Sequence, residues 1–138
     1  MRNARNETEA LFVMINWVMP IRAQNKDAYK VIEPELVEFI SYPYEWSFSQ
    51  LKDAAAVTLL IQKKALASGM SLKDCSSYNI QLLKGKPVFI DTLSFEEYRK
   101  GEPWVAYRQF CQHFLAPLAL MCYKDVRLNQ LLTSYIDG

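Results

Sequence analysis

Asp74, Asn79 and Asp91 are the residues of this chain whose types and spacing suit chemistry: an Asp, an Asn five positions on, and a second Asp beyond two short apolar runs. An Asp held in a loop can accept the proton of an attacking hydroxyl. The side-chain oxygens of an Asn and a second Asp can ligate a Mg²⁺ ion that bridges nucleotide phosphates. That is phosphoryl-transfer chemistry, in which catalysis is mostly positioning and charge neutralisation. A second reading stays open on the same residues: Asp74 and Asn79 hold turns and Asp91 caps the next segment, as loop Asp and Asn residues commonly do.

Such residues need rigid elements around them, and the sequence supplies candidates. Alternation over Leu36–Ile40 predicts a short strand, followed by an aromatic connector that is extended around Pro43. Ser47-Phe48-Ser49-Gln50 has the form of a capping box, opening a helix from Phe48 to about Ser68 that Gly69 closes. Leu51, Ala54, Ala55, Thr58, Leu59, Ile61, Ala65 and Leu66 share a broad arc, which predicts a central, largely buried helix. Ile80–Leu83 and Pro87–Asp91 read as a β-hairpin turned by Lys84-Gly85-Lys86, with Asp91 ending its second strand. Residues 94–100 read as short and polar. A helix from Pro103 to about Tyr123, kinked at Pro117, and a short last helix from Asp125 to Tyr135 complete the expected elements. At the other end, Asn6 can cap a first helix that Pro20 stops. The expected fold class is α+β and mainly helical, with residues 1–35 as a helix and polar lead-in and residues 36–138 as one compact domain.

Composition bounds the partners. Sixteen Lys and Arg against fifteen Asp and Glu give a formal charge of +1, so no global field draws the chain to nucleic acid or an anionic membrane. The longest apolar runs, Leu11–Ile21 and His113–Tyr123, fall well short of the ~20 residues that span a bilayer. Three cysteines without a C-x-x-C pair argue against a disulfide framework or structural zinc, and a reducing cytoplasm is the expected compartment.

Lys73-Asp74 through Asn79, with Phe89-Ile90-Asp91, resembles the catalytic loop and metal-binding Asp of the protein-kinase-like superfamily, especially aminoglycoside-phosphotransferase-like members. Tyr42 to Phe48, Asp74 to Gln81, Phe89 to Glu96 and Pro103 to Phe110 also resemble one bacterial family. Its long members are labelled class I S-adenosylmethionine-dependent methyltransferases, some related to a rhizobial nodulation protein. The resemblance covers about residues 36–138. It implies a kinase-like C-lobe segment lying before a methyltransferase domain, with Asp74 as base and Asn79 and Asp91 as Mg²⁺ ligands. The strand of Glu38 and Ile40, with Ser41, would be the nucleotide hinge. ATP or GTP would be the nucleotide, and the substrate a small or glycan-like hydroxyl compound. S-adenosylmethionine would bind only in the parent protein, since nothing here has the strand, glycine-rich turn and helix that hold it. Lys73 stands where Arg or Gly is usual, and Thr92-Leu93 follows the metal Asp in place of Phe-Gly. The four glycines, at 69, 85, 101 and 138, form no phosphate loop, so this chain alone is expected to carry half of such a site and to be inactive by itself. The alternative is a non-catalytic scaffold or substrate-recognition module.

Other residues have plainer readings. His113, the lone histidine, is expected on the surface or in the core of its helix rather than in catalysis. Cys75 adjoins Asp74, whose charge opposes thiolate formation. The aromatic cluster Tyr42, Tyr44 and Trp46 is expected to pack between helix and connector, with stacking on a nucleobase or a sugar as the alternative, and Tyr42 and Trp46 are expected to line an exposed cleft side.

Overall fold

The computed structural model describes residues 36–134. The chain divides into two units, Met1–Glu38 and Phe39–Gly138. The expected N-terminal helix lies outside the described residues.

Helix α1, Phe48–Ala67, starts where its box predicts: Gln50 N–H donates to Ser47 Oγ at 3.3 Å, and Ser47 N–H donates to Gln50 Oε1 at 2.8 Å. Two otherwise unpaired donors of the first turn are thereby satisfied. Gly69 ends the helix with φ +73°, a left-handed conformation that a side chain would strain. Leu51, Ala54, Ala55, Thr58, Ile61 and Ala65 are buried as expected, and so is Gln62. Leu59 and Leu66, at the margin of the predicted arc, are exposed.

Two small antiparallel ribbons follow. β1, Met70–Leu72, pairs with β4, Phe95–Glu97, and β2, Ile80–Leu83, pairs with β3, Lys86–Phe89. The β2–β3 hairpin turns on Lys84 and Gly85, both at positive φ (51° and 76°), the mirror-image turn that matches strand twist. Leu83 pairs with Lys86 next to this two-residue loop, so the following pair, Leu82 with Pro87, falls at a non-hydrogen-bonded site. Pro87 therefore removes no ladder bond.

Helix α2, Tyr107–Phe110, runs through a π-turn at Cys111–Leu115 into α3, Ala116–Tyr123. Where a kink is expected at Pro117, the helix carries a π-turn just before the proline. The ring has no N–H to give and would clash with the carbonyl four residues back, and the widened turn accommodates it, with Ala116 N–H reaching back to Cys111 O. Trp46, Leu51, Leu72, Ile80, Phe89, Phe110 and Phe114 form the core. Phe110 stacks obliquely on Phe114 at 5.2 Å, and Phe89 meets Phe95 edge-on at 5.9 Å. The architecture is α+β, and no helix among the described residues is long and apolar enough to cross a membrane.

Several expectations are corrected. Residues 36–40 are bent coil, not a hinge strand. Phe39 and Ile40 are 75% and 62% exposed, so their alternation meets no sheet. In place of a ladder, one side chain holds the next residue: Gln81 Oε1 accepts from Ser41 N–H at 3.0 Å and Gln81 Nε2 donates to Ser41 O at 3.1 Å. The connector is not extended throughout, because Pro43–Glu45 winds into a 3₁₀ turn after an extended Tyr42. Trp46 is buried rather than lining an exposed face. The polar stretch after Ser94 contains β4. The last helix is a 3₁₀ helix, Val126–Thr133, capped by Asp125, whose carboxylate Arg127 also clasps.

The β1–β4 ribbon carries both turns of the candidate site, and Gln62 of α1 anchors its first strand: Leu72 N–H donates to Gln62 Oε1 at 2.8 Å while Gln62 Nε2 donates to Ser71 Oγ at 3.1 Å. Gln62→Leu keeps the volume but leaves a buried N–H without an acceptor. A loss of ~1–3 kcal/mol is expected in urea denaturation, with the m value unchanged.

Candidate functional site

The loop after β1 is clamped by alternate residues turned inward. Cys75 is buried; its N–H donates to Gln109 Oε1 at 2.8 Å and its thiol to Ala106 O at 3.1 Å. Ser77 is also buried, with Oγ 3.2 Å from His113 Nδ1 on the π-turn. His113 is thus a core residue that ties loop to helix, and the sequence offered no cue to its Ser77 contact. Desolvation, with lesser contributions from the Asp74 and Cys111 charges, pushes the Cys75 thiol up to about 12, which leaves it neutral and inert. Fixing Cys75 and Ser77 inside leaves Asp74 and Asn79 half-buried at the surface. Asp74 Oδ1 accepts from Ser76 N–H at 3.0 Å, the turn role open to any loop Asp.

Backbone pairing brings the second turn alongside. Lys73 N–H donates to Ser94 O at 2.8 Å, and Ile90 N–H donates to Asn79 O at 2.8 Å. Asp91 Oδ1 accepts from Leu93 N–H at 2.8 Å, again a local turn bond. Its other oxygen reaches further: Ser94 Oγ donates to Asp91 Oδ2 at 2.6 Å and accepts from Asn79 Nδ2 at 3.2 Å. Asn79 and Asp91 are therefore joined through one buried hydroxyl. Asp74 is linked to that pair through the Lys73–Ser94 backbone bond and not by its own side chain.

The expected hinge residues are placed differently. Glu38 belongs to the first unit and is exposed, as is Ile40 in the second. Ser41 is buried, with both backbone groups engaged by Gln81 and its hydroxyl accepting from Trp46 Nε1 at 2.9 Å. A cleft of about 410 Å³ lies elsewhere, among Gln62, Leu66, Ser71, Glu96 and Trp104, and none of the three candidate residues lines it.

Among the described residues no three His, Cys, Asp or Glu side chains converge on a metal position. The donors at hand are the Asn79 amide oxygen and the Asp91 carboxylate. This set suits Mg²⁺ shared with substrate phosphates rather than an all-protein cage.

The described residues thus define an α+β segment in which two polar turns are stitched side by side on a small ribbon. The chain is similar to the nodulation protein NoeA of Rhizobium meliloti (strain 1021), with 40% identity over 109 residues, or 79% of this chain. It spans 23% of the length of that relative. No family model matches the chain, and no solved structure does.

Proposed function

We propose that this chain is a kinase-like, Mg²⁺-nucleotide-binding segment of a longer, nodulation-related bacterial protein, placed beside a methyltransferase domain that alone takes S-adenosylmethionine. The observation that carries the reading is the convergence of Asn79 and Asp91 on Ser94, in turns that the β1–β4 ribbon sets next to the Asp74 loop. Asn79 Oδ1 and the Asp91 carboxylate would hold Mg²⁺, which supplies charge neutralisation for nucleotide phosphates. Asp74, with Oδ1 in its turn, keeps Oδ2 to accept the proton of a substrate hydroxyl. The substrate class is a small or glycan-like alcohol. The similarity to the nodulation protein NoeA supports the nodulation context of the parent.

Thermal denaturation with ATP or GTP and Mg²⁺ tests this. Nucleotide at a hundredfold excess over Kd stabilises by ~2.7 kcal/mol and raises Tm by several degrees, and Asp91→Ala abolishes the shift. The reading fails if neither nucleotide moves Tm and Asp91→Ala leaves the longer protein's activity intact.

One observation favours a second reading, a non-catalytic recognition or scaffold module. Both backbone groups of Ser41, which a nucleotide hinge would offer to a base, are bonded to the Gln81 amide. Under that reading nucleotide has no effect, while deleting the segment impairs methyl transfer in the parent.

A further inference from the structure

We propose that Ser94 is a positioning residue: its hydroxyl selects the orientation of the Asn79 amide and holds Asp91, so that both present oxygen to a divalent cation. This rests on the phosphotransfer reading above. The direction of each hydrogen bond follows from chemistry. Ser94 Oγ has one proton, and the Asp91 carboxylate, 2.6 Å away, can only accept it. The hydroxyl's lone pairs then face the Asn79 side chain at 3.2 Å and require its NH₂ end. Asn79 Oδ1, the one Asn side-chain atom able to bind a hard cation, is thereby turned away from Ser94. Ser94 is itself fixed, being 1% exposed with its carbonyl accepting from Lys73 N–H. The Asn79 backbone is pinned on both sides, to Ser76 O and by Ile90 N–H, so the Ser94 bond acts on the Asn79 side chain and not on its backbone. A small loop Ser three residues after Asp91 carries no sequence signal for this role.

The probe is Mn²⁺ with ATP, followed by paramagnetic broadening in NMR spectra of the ¹⁵N-labelled chain. In the wild type, the Asn79 side-chain and Asp91 backbone signals broaden first. Ser94→Ala requires ~10-fold more Mn²⁺ for the same broadening, the usual cost of removing an outer partner of a metal ligand, and Ser94→Thr, which keeps the hydroxyl, restores binding to within about twofold. Equal titrations for wild type and Ser94→Ala overturn the positioning role while the phosphotransfer reading stands. Absence of broadening in the wild type overturns that reading as well. Should Ser94→Ala fail to fold, the wild-type spectrum decides: an Asn79 NH₂ pair with one proton protected from exchange supports the bond to Ser94, and two fast-exchanging protons refute it.

Discussion

Trp46→Ala is expected to remove ~3–5 kcal/mol of stability, the range for deleting a large aromatic from a packed core. Trp46 is 2% exposed and is among the largest buried side chains of the described residues. The damage extends along the chain because Trp46 is held at two points. Its Nε1 donates to Ser41 Oγ at 2.9 Å, and its carbonyl accepts from Asn129 Nδ2 at 3.1 Å. Loss of the indole leaves a void beside Ser41 and loosens the turn to which Asn129 ties the C-terminal 3₁₀ helix. Trp46→Phe keeps most of the volume and forfeits the N–H bond, so its loss is smaller, ~1–2 kcal/mol. Urea denaturation followed by circular dichroism gives both values. A loss under ~1 kcal/mol for the Ala variant would show that the tryptophan is not part of the core. Since domains of this size are commonly stable by only ~5–15 kcal/mol, the Ala variant loses a large fraction of that stability.

Local chemistry made some of this structure readable in advance. The capping box, the glycine stop and the Lys84-Gly85 turn act within a few residues, and each appears where its chemistry requires. The β1–β4 pairing was not legible, because Met70 and Glu97 are far apart in the sequence with the whole β2–β3 hairpin between them. Leu36–Ile40 misled for the opposite reason: alternation prepares a strand, but a strand needs an edge to join. At the site, the spacing of Asp74, Asn79 and Asp91 was visible and Ser94 was not, since its importance lies in a burial that the sequence does not record.

Side-chain amides explain much of what was missed. Gln81 grips Ser41, Gln62 grips Leu72, Gln109 grips Cys75, and Asn129 grips the carbonyls of Tyr44 and Trp46. Each replaces a backbone partner that a larger sheet would have provided, because buried N–H and C=O groups must be satisfied somewhere. Two two-stranded ribbons are too small to fix these irregular segments. Donor and acceptor on one planar amide do so at single points, for Ser41 through Gln81 and for Ser71 and Leu72 through Gln62.

The stability of the chain is expected to fall as pH rises from about 9 toward about 12, with Cys75 as a principal cause. The folded environment raises this thiol from 9.0 to about 12, first by desolvation and then by the Asp74 and Cys111 charges. The folded pKa lies above the unfolded one, so the contribution is complete below about 9 and is lost as the unfolded chain ionises while the folded chain does not. Within that window the loss grows with pH, by at most ~1.4 kcal/mol for each unit. Cys75→Ser isolates the effect. The Ser hydroxyl can still donate to Ala106 O, where the thiol does so at 3.1 Å, and it does not titrate in this range. Lys and Tyr groups ionise in both proteins and cancel in the difference. Urea midpoints at pH 8, 9, 10 and 10.5 should therefore converge, the wild type declining more steeply than the variant. Parallel declines would mean that Cys75 ionises as readily in the fold as outside it, and that the packing around Cys75 is looser than its contacts with Gln109 and Ala106 imply.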